Sequence, residues 1–365
     1  MLHNEQKQAQ QIFSGNIYVF HAFDVGEEIN LDGIQESNLV IPQILKLPKY
    51  FKNYHIPLAI ELPNHHLTPL CSGVKIHNFG SISLTYKIPF KDTLHNLRQS
   101  LVDIDNKFQE QSVLDANSLF KLIRGFISKP NFFSTRSSYL VIQVDTEPEK
   151  IGTITLKDEY GSIIASALRF ETKTLSEYQK NEILESAIGY FRGDLIVIDT
   201  EAAFIYDAEY QEILDLFEFS NIQLLELRYF DRVLDHQLTS LYEEKARKVP
   251  LKSYLPFIGT LTKGPVDELG KLKVDVSVIT ERLEDSIKLV GEPYFLELYT
   301  LLNEKLGLNM WKESIDKKLS IIHDVRSVIQ NKVDAIREDM LTVLIIILIF
   351  IELIIGMLNY FHKTH

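Results

Sequence analysis

The stretch that decides the architecture of this chain is MLTVLIIILIFIELIIGML, residues Met340–Leu358. As an α-helix, its 19 residues would span roughly 28 Å, about the thickness of the hydrocarbon core of a bilayer. Only Thr342 and Glu352 interrupt the apolar run. A buried helix of a large water-soluble core is the alternative, but such helices seldom stay apolar on every face for this length. The pattern therefore predicts one transmembrane helix.

Charges on either side of the predicted span indicate its orientation. Arg326, Lys332 and Arg337 precede it, and Lys363 lies among the few residues that follow. Positive residues favour the cytoplasmic side of a membrane. The first eleven residues are polar and lack the apolar centre of a secretory signal. We therefore expect a single-pass C-terminal tail anchor with the N-terminal bulk of the chain in the cytoplasm.

Glu352 is the one carboxyl group inside this apolar run. A charged carboxylate in the bilayer costs a few kcal/mol, so it should be neutral, paired or drawn toward the interface. Gly356 and Asn359 share its helical face at the i+4 and i+7 positions. Two interpretations stay open. Glu352 is either a tolerated residue near the interface, or part of a helix–helix contact within the membrane that would make the protein a homo-oligomer.

A helical stalk is predicted immediately before the span, over residues 275–339. Its second half carries an apolar heptad series that only Arg326 interrupts: Ile315, Leu319, Ile322, Ile329, Val333, Ile336 and Met340. Its first half carries a similar stripe from Val276 to Leu301, and Gly307 between the two suits a left-handed helix end. The matched stripes favour an antiparallel hairpin. A parallel coiled-coil dimer through the second helix is the alternative.

A basic segment precedes the stalk. Lys245, Arg247, Lys248, Lys252, Lys263, Lys271 and Lys273 stand against Asp267 and Glu268 in a chain of net charge −12. In an antiparallel hairpin, the end of this segment lies beside Met340, where the predicted span begins. The segment also includes the apolar cluster Tyr254–Ile258. We therefore expect these seven basic residues to contact an anionic lipid surface. A solvated loop is the alternative.

The first 250 residues alternate strand-like and helix-like patterns. Strands are predicted over Asn16–Val25, Ser81–Ile88, Tyr139–Asp145, Asp194–Asp199 and Ala202–Tyr206, the last two as a hairpin. Helices are predicted over Thr93–Phe108, Ser176–Tyr190 and Glu209–Lys248. This mixed order favours an α+β body over a doubly wound parallel sheet. The loop Thr146–Lys150 suggests a boundary between regions 1–150 and 151–250.

Few motifs in this sequence carry chemistry. The acidic balance argues against broad nucleic-acid binding outside the local basic segment, and the single cysteine, Cys71, excludes an intrachain disulfide. Neither a phosphate-binding glycine loop nor a metal motif is present, so no cofactor is predicted. The weak candidates for a metal site are Glu61, His65 and His66. The weak candidates for acid–base catalysis are Asp231, Asp235 and His236, of which the two carboxylates lie at i and i+4 on one helical face. The alternative is a solvated helical face, on which Arg228 and Arg232 offer local ion pairs.

Segments of the second half resemble a known family. They are GDLIVIDTEAAFIYD (Gly193–Asp207), QLLELRYFDRVLD (Gln223–Asp235), DVSVITERLEDSIKL (Asp275–Leu289) and LIIILIFIELIIGML (Leu344–Leu358). They are similar to the family called "required for meiotic nuclear division", whose eukaryotic members are mitochondrial membrane proteins associated with support of organellar translation. Because the chain begins without a mitochondrial presequence, the resemblance implies a bacterial member in the inner membrane. It implies no catalytic residues.

Taken together, these patterns predict a non-enzymatic scaffold or adaptor that recruits an unidentified protein partner to the lipid bilayer. The alternative is a membrane-anchored enzyme that uses carboxylates of the soluble body. A pore built around Glu352 is a third possibility, and it is the weakest because each chain has one predicted span.

Overall fold

The computed structural model describes residues 11–43, 56–64, 66–133, 135–147, 150–246 and 293–363. Its strands are β1 (Phe13–Asp24), β2 (Glu28–Ile29), β3 (Pro42–Gln43), β4 (Leu58–Ile60), β5 (Cys71–Ile76), β6 (Ser81–Asp92), β7 (Ile127–Ser128), β8 (Arg136–Val144), β9 (Ala187–Ile188), β10 (Leu195–Ile198) and β11 (Ala202–Tyr206). Its α-helices are α1 (Leu31–Glu36), α2 (Leu94–Ile123), α3 (Thr153–Leu168), α4 (Glu177–Glu185), α5 (Gln211–Ala246), α6 (Pro293–Leu306) and α7 (Leu308–Lys363).

Nine of these strands form one sheet, in the order β3-β4-β5-β6-β1-β8-β11-β10-β9. The long strand β1 lies near the centre, where Ile17 pairs with Ile88 of β6 and with Ile142 of β8. Every neighbouring pair is antiparallel except β8 and β11, which are parallel. The predicted α+β body is thereby confirmed, as is the hairpin formed by β10 and β11.

Helices cover both faces of the sheet. Successive side chains of β1 point to opposite sides of the sheet, and apolar residues of β1 stand on both sides. On one side, Ile17 and Val19 belong to the main apolar core, to which α2 and α3 contribute residues such as Leu101 and Ile164. On the other side, Ala22 packs against Ile222 and Leu225 of α5. The ring of Tyr139 in β8 also stacks on Phe217 of α5, at 5.3 Å between centroids. The body is therefore a helix–sheet–helix arrangement.

Local signals explain where the helices begin and end. The Thr93 side chain accepts a hydrogen bond from the backbone N–H of Asn96 and caps α2, and Ser176 caps α4 in the same way through Gln179. Gly307 separates α6 from α7 with a φ of +65°, a left-handed conformation that glycine adopts without a steric penalty. This is the helix end that the sequence predicts at Gly307.

Two helix boundaries differ from the sequence prediction. The helix predicted over Thr93–Phe108 continues to Ile123, because buried residues such as Ala116 and Leu119 extend the same apolar face. The helix predicted over Ser176–Tyr190 ends at Glu185. There the Ser186 hydroxyl bonds the carbonyl groups of Ile183 and Ile198, and the chain continues as β9.

The chain divides into two compact units. One comprises residues 1–229 and 279–311 and contains the nine-stranded sheet, and the other comprises residues 230–278 and 312–365. The sheet includes strands from both sides of residue 150, where the sequence suggested a boundary. The first stripe of the predicted hairpin lies largely outside the described residues, so the hairpin and the coiled coil stay predictions.

Candidate functional site

The apolar C-terminal part of α7 is the first candidate for a functional site. Residues Asp334–Asn359 form 26 consecutive helical residues, and the most apolar 18-residue window among them has a mean hydropathy of 3.0 and no buried part within the described protein. Large side chains such as Ile347, Phe350 and Leu358 are more than half exposed. The prediction of one C-terminal helix that is long and apolar enough to span a membrane is therefore confirmed.

Glu352, Gly356 and Asn359 all lie on this exposed helix. A Cβ atom added at Gly356 would meet nothing within 4 Å among the described residues, so another helix has room to approach it closely. Earlier in the same helix, the Thr342 hydroxyl donates to the carbonyl oxygen of Glu338 at 2.9 Å, which satisfies this polar group within the helix. The contact predicted at Glu352 stays a prediction.

Asp231 and Asp235 lie in α5 and share one cation of α7. The ammonium group of Lys318 is 2.7 Å from a carboxylate oxygen of each, and the Ser314 hydroxyl donates to Asp231 at 2.9 Å. Burial lowers the pKa of Lys318, but its hydrogen bonds to the two carboxylates outweigh this effect and raise the pKa. His236 is exposed. The carboxylates therefore form an interhelical ion-pair cluster within the second unit.

The other predicted site residues fall partly outside the described structure. Of the basic membrane-contact residues, Lys245 lies at the end of α5, while Arg247, Lys248, Lys252, Lys263, Lys271 and Lys273 lie outside the described residues. The same holds for His65 of the weak metal motif. Its neighbour His66 lies in a turn where its backbone N–H donates to the Asn64 side chain at 2.9 Å.

A buried charge cluster between β5 and α5 was not found by sequence reasoning. The Lys75 ammonium group lies 2.6 Å from Glu218 and 3.0 Å from Asp215, and the Ser83 hydroxyl donates to Glu218 at 2.6 Å. Burial lowers the pKa of Lys75, but the two carboxylates more than reverse this and raise it above its usual value. The sequence feature that could have indicated this cluster is the pair Asp215 and Glu218, which stand at i and i+3 in an otherwise apolar helical segment.

A cavity of about 630 Å³ opens where β11 ends and α5 begins. Its lining combines the carboxylates of Asp194, Asp207, Glu209 and Glu212, the ammonium group of Lys150, and the aromatic rings of Tyr190, Phe191, Tyr294 and Phe295. The Asp207 side chain is held in place by the backbone N–H of Glu209, which donates to it at 2.8 Å. The sequence predicted neither this cavity nor its lining.

Residues 14–212 match the family model described as "Uncharacterized protein MJ0711, N-terminal domain". The match covers more than half of the chain and includes the sheet from β1 to β11. The chain belongs to this family.

A curated protein is also similar to this chain. It is the uncharacterised protein MJ0711 of Methanocaldococcus jannaschii, which is 28% identical over 204 residues. The alignment covers 54% of this chain and 60% of the relative. No solved structure matches this chain. The printed names of the family and the relative assign no activity.

Some of the candidate sites lie inside the residues that match the MJ0711 N-terminal domain, and others lie outside them. Lys150, Asp194 and Asp207 of the cavity lie within residues 14–212, whereas Tyr294 and the apolar part of α7 lie beyond them. The ion-pair cluster of Asp231 and Asp235 also lies beyond the match. The sheet and most of the cavity wall are therefore the parts that this chain shares with its family.

Proposed function

We propose that this protein is a membrane-tethered, non-enzymatic scaffold that holds its α+β body at a bilayer and recruits a protein partner there. The observation that carries the proposal is the unburied apolar window within Asp334–Asn359, which lies in one continuous helix with buried residues such as Ile315 and Ile322. A stretch so apolar is costly to expose to water, and a bilayer is the environment that suits it. In this proposal the helix is a tail anchor and the body lies in the cytoplasm.

A membrane-anchored enzyme is the alternative. It needs carboxylates that are available to act as acid or base. Asp231 and Asp235 instead share the ammonium group of Lys318, and Asp231 also accepts a hydrogen bond from Ser314. This pairing favours a structural role for the two carboxylates, and it supports the scaffold over the enzyme.

The resemblance to the family "required for meiotic nuclear division" belongs to the same proposal. The family model and the relative that match this chain make no statement about meiotic division or about a bacterial source. A member of that family in a bacterial inner membrane would also be an anchored protein without carried-over catalytic residues. The resemblance therefore adds a consistent expectation to the scaffold.

Membrane fractionation tests the anchor. The full chain should pellet with membranes and resist extraction by high salt and alkaline carbonate, because the anchoring is apolar. A variant with Ile347→Arg and Ile351→Arg should be released, since each arginine at the centre of a span costs about 3 kcal/mol. A matched variant with Ile347→Leu and Ile351→Leu should stay in the membrane. Retention of the arginine variant after both washes would refute the anchor.

Crosslinking in intact cells tests the recruitment. Proteins crosslinked to the body of the full chain should move from the membrane fraction to the soluble fraction when residues 334–365 are removed. They should return to the membrane when an unrelated transmembrane helix replaces those residues. If no crosslinked protein moves with the body from the membrane fraction to the soluble fraction, the scaffold proposal is wrong even if the membrane anchor is confirmed.

A further inference from the structure

The cavity between β11 and α5 has the size of a small-molecule site. Its volume of about 630 Å³ lies within the range of roughly 300–1,000 Å³ that is usual for ligand pockets. It opens at the carboxyl end of β11, a member of the single parallel pair within the described sheet. Lys150, which lies between β8 and α3, also belongs to its wall. The site therefore collects residues from segments that are distant in the sequence.

The charge of the wall is strongly negative. Four carboxylates, those of Asp194, Asp207, Glu209 and Glu212, face the single ammonium group of Lys150. Asp207 is only 7% exposed, and burial, together with the neighbouring Asp194 and Glu209, raises the pKa of its carboxyl group. A cation entering the cavity would relieve this repulsion, while an anion would increase it.

Aromatic rings form one continuous edge of the cavity. Phe191 meets Tyr190 at 4.7 Å between ring centroids, Tyr190 meets Tyr294 at 5.0 Å, and Tyr294 meets Phe295 at 5.4 Å. Tyr190 and Phe191 are 61% and 65% exposed, although large aromatic side chains are usually buried. Such a series of ring faces attracts organic cations and also contacts the methylene groups that connect them.

The hydroxyl group of Tyr294 is an independent sign of a missing ligand. This oxygen is buried, and it has no hydrogen-bond partner among the described residues. A buried hydroxyl without a partner is destabilising, so its position favours a group that can form a hydrogen bond with it. Asp207 and Asp194 lie close enough to raise the pKa of this phenol, after burial itself. A ligand that donates hydrogen bonds would satisfy the hydroxyl and both acids.

We propose that this cavity binds a linear aliphatic polyamine. Its ammonium groups would lie against Asp194, Asp207 and Glu209, and its methylene chain would lie along the edge formed by Tyr190 and Phe191. An ammonium N–H donates to the Tyr294 oxygen in this arrangement. The proposal concerns the body alone and does not depend on the membrane anchor.

A metal ion fits this wall less well than an organic cation. Within the part of the chain that the structure describes, no three carboxylate, imidazole or thiol groups are placed to hold one ion. A divalent ion needs several oxygen ligands at 2.0–2.6 Å.

Isothermal titration calorimetry on the full chain in a neutral detergent tests the proposal. The probe is spermidine, and the comparison ligands are butylamine, which carries one ammonium group, and magnesium chloride. Spermidine should bind saturably at one site per chain, with an affinity that falls as salt rises. Its dissociation constant should be roughly ten- to thirtyfold lower than that of butylamine, because spermidine has two additional ammonium groups that can pair with carboxylates.

Matched variants separate the cavity from the surface at large. Glu209→Gln should weaken spermidine binding about two- to fivefold by removing one ion pair. Phe191→Leu should weaken it by a similar factor, because it keeps an apolar side chain but removes the ring face. The controls are Glu110→Gln in α2 and Tyr178→Leu in α4, both exposed and outside the cavity lining. Both controls should bind as the wild type does.

Three results would overturn the proposal. The first is the absence of saturable spermidine binding up to millimolar concentration. The second is a magnesium affinity equal to that of spermidine, which would show an acidic surface without a shaped site. The third is an equal loss of affinity in the cavity variants and in their controls. A membrane-anchored chain that gives any of these results leaves the proposed scaffold intact, so the two proposals fail separately.

Discussion

The ammonium nitrogen of Lys75 lies 2.6 Å from a carboxylate oxygen of Glu218, and this ion pair joins a strand of the sheet to the helix that covers it. Both side chains are largely buried, with exposed fractions of 19% and 6%. Asp215 at 3.0 Å and the Ser83 hydroxyl complete the cluster. Buried ions lose their hydration, so the cluster is stable only while every charge keeps its partner.

Lys75→Met should therefore destabilise the protein strongly. The substitution leaves Glu218 buried without its cation, and this should lower the free energy of unfolding by about 3–5 kcal/mol. The measurement is denaturant unfolding of the full chain in detergent, followed by circular dichroism. Lys180→Met is the control, because Lys180 forms an ion pair of the same 2.6 Å length with the exposed Glu177 and should cost at most about 1 kcal/mol.

The paired substitution Lys75→Met with Glu218→Gln distinguishes an unpaired charge from lost packing. It removes both partners of the closest ion pair, so it should recover part of the stability that Lys75→Met loses. A double variant that is no more stable than the single variant would show that the loss comes from packing of the lysine side chain.

Glu226 should make the stability of the protein depend on pH. Burial, and then the neighbouring Asp24, raises the pKa of this carboxyl well above its usual value of 4.5. Between pH 4.5 and the raised value, the unfolded chain has released a proton that the folded chain keeps. The free energy of unfolding contributed by this group therefore falls as pH rises through that window, and it is fully present below pH 4.5.

Glu226→Gln is the variant that tests this dependence, because its amide stays neutral at every pH. As pH rises above 4.5, the unfolding free energy of the variant should increase relative to that of the wild type. The control is Ser118→Ala, which changes an exposed side chain of α2 that carries no titratable group, so its difference should stay constant with pH. A constant difference for Glu226→Gln as well would contradict the raised pKa.

The sequence predicted the core strands because their patterns are locally unambiguous. β1 and β6 read as long runs of β-branched and aromatic residues, and both are present where they were expected. α3 was not predicted. Its segment Thr153–Leu168 buries most residues of its second half on several sides, so it lacks the single apolar stripe that marks an amphipathic helix.

The sites were harder to predict than the fold because they depend on contacts between distant residues. Nothing in the sequence around Lys75 indicates that it pairs with Glu218, which lies 143 positions away. Asp231 and Asp235 were weak candidates for acid–base catalysis, and their ion pairs with Lys318 of α7 could not be predicted from the sequence. The apolar span was predictable because its signal is a composition that needs no partner within the chain.

The basic segment should direct the protein to anionic lipid. The segment lies mostly outside the described residues, so this prediction rests on the sequence. A chain that ends at residue 339 should bind vesicles rich in anionic lipid more tightly than neutral vesicles, because each basic residue near an anionic surface contributes up to about 1 kcal/mol. High salt should abolish the preference. Sedimentation of the protein with vesicles measures both effects.

Changing Lys245, Arg247, Lys248 and Lys252 together to serine should remove most of that preference. Serine at Lys157, Lys173, Lys305 and Lys312 is the control, since it removes the same charge from positions outside the segment. If the first set binds anionic vesicles as well as the control set does, the segment is an ordinary solvated loop.

Glu352 should specify self-association of the apolar helix through the face that it shares with Gly356 and Asn359. Gly356 leaves room for a second helix, and the carboxyl and amide groups can bond across the contact at about 1 kcal/mol each. Glu352→Leu should therefore raise the dissociation constant of the dimer or larger oligomer about fivefold, as measured by crosslinking at several ratios of protein to detergent. Phe350→Leu lies on another face of the helix and should leave it unchanged. Equal oligomer distributions in the wild type and Glu352→Leu would leave Glu352 as a tolerated residue near the bilayer interface.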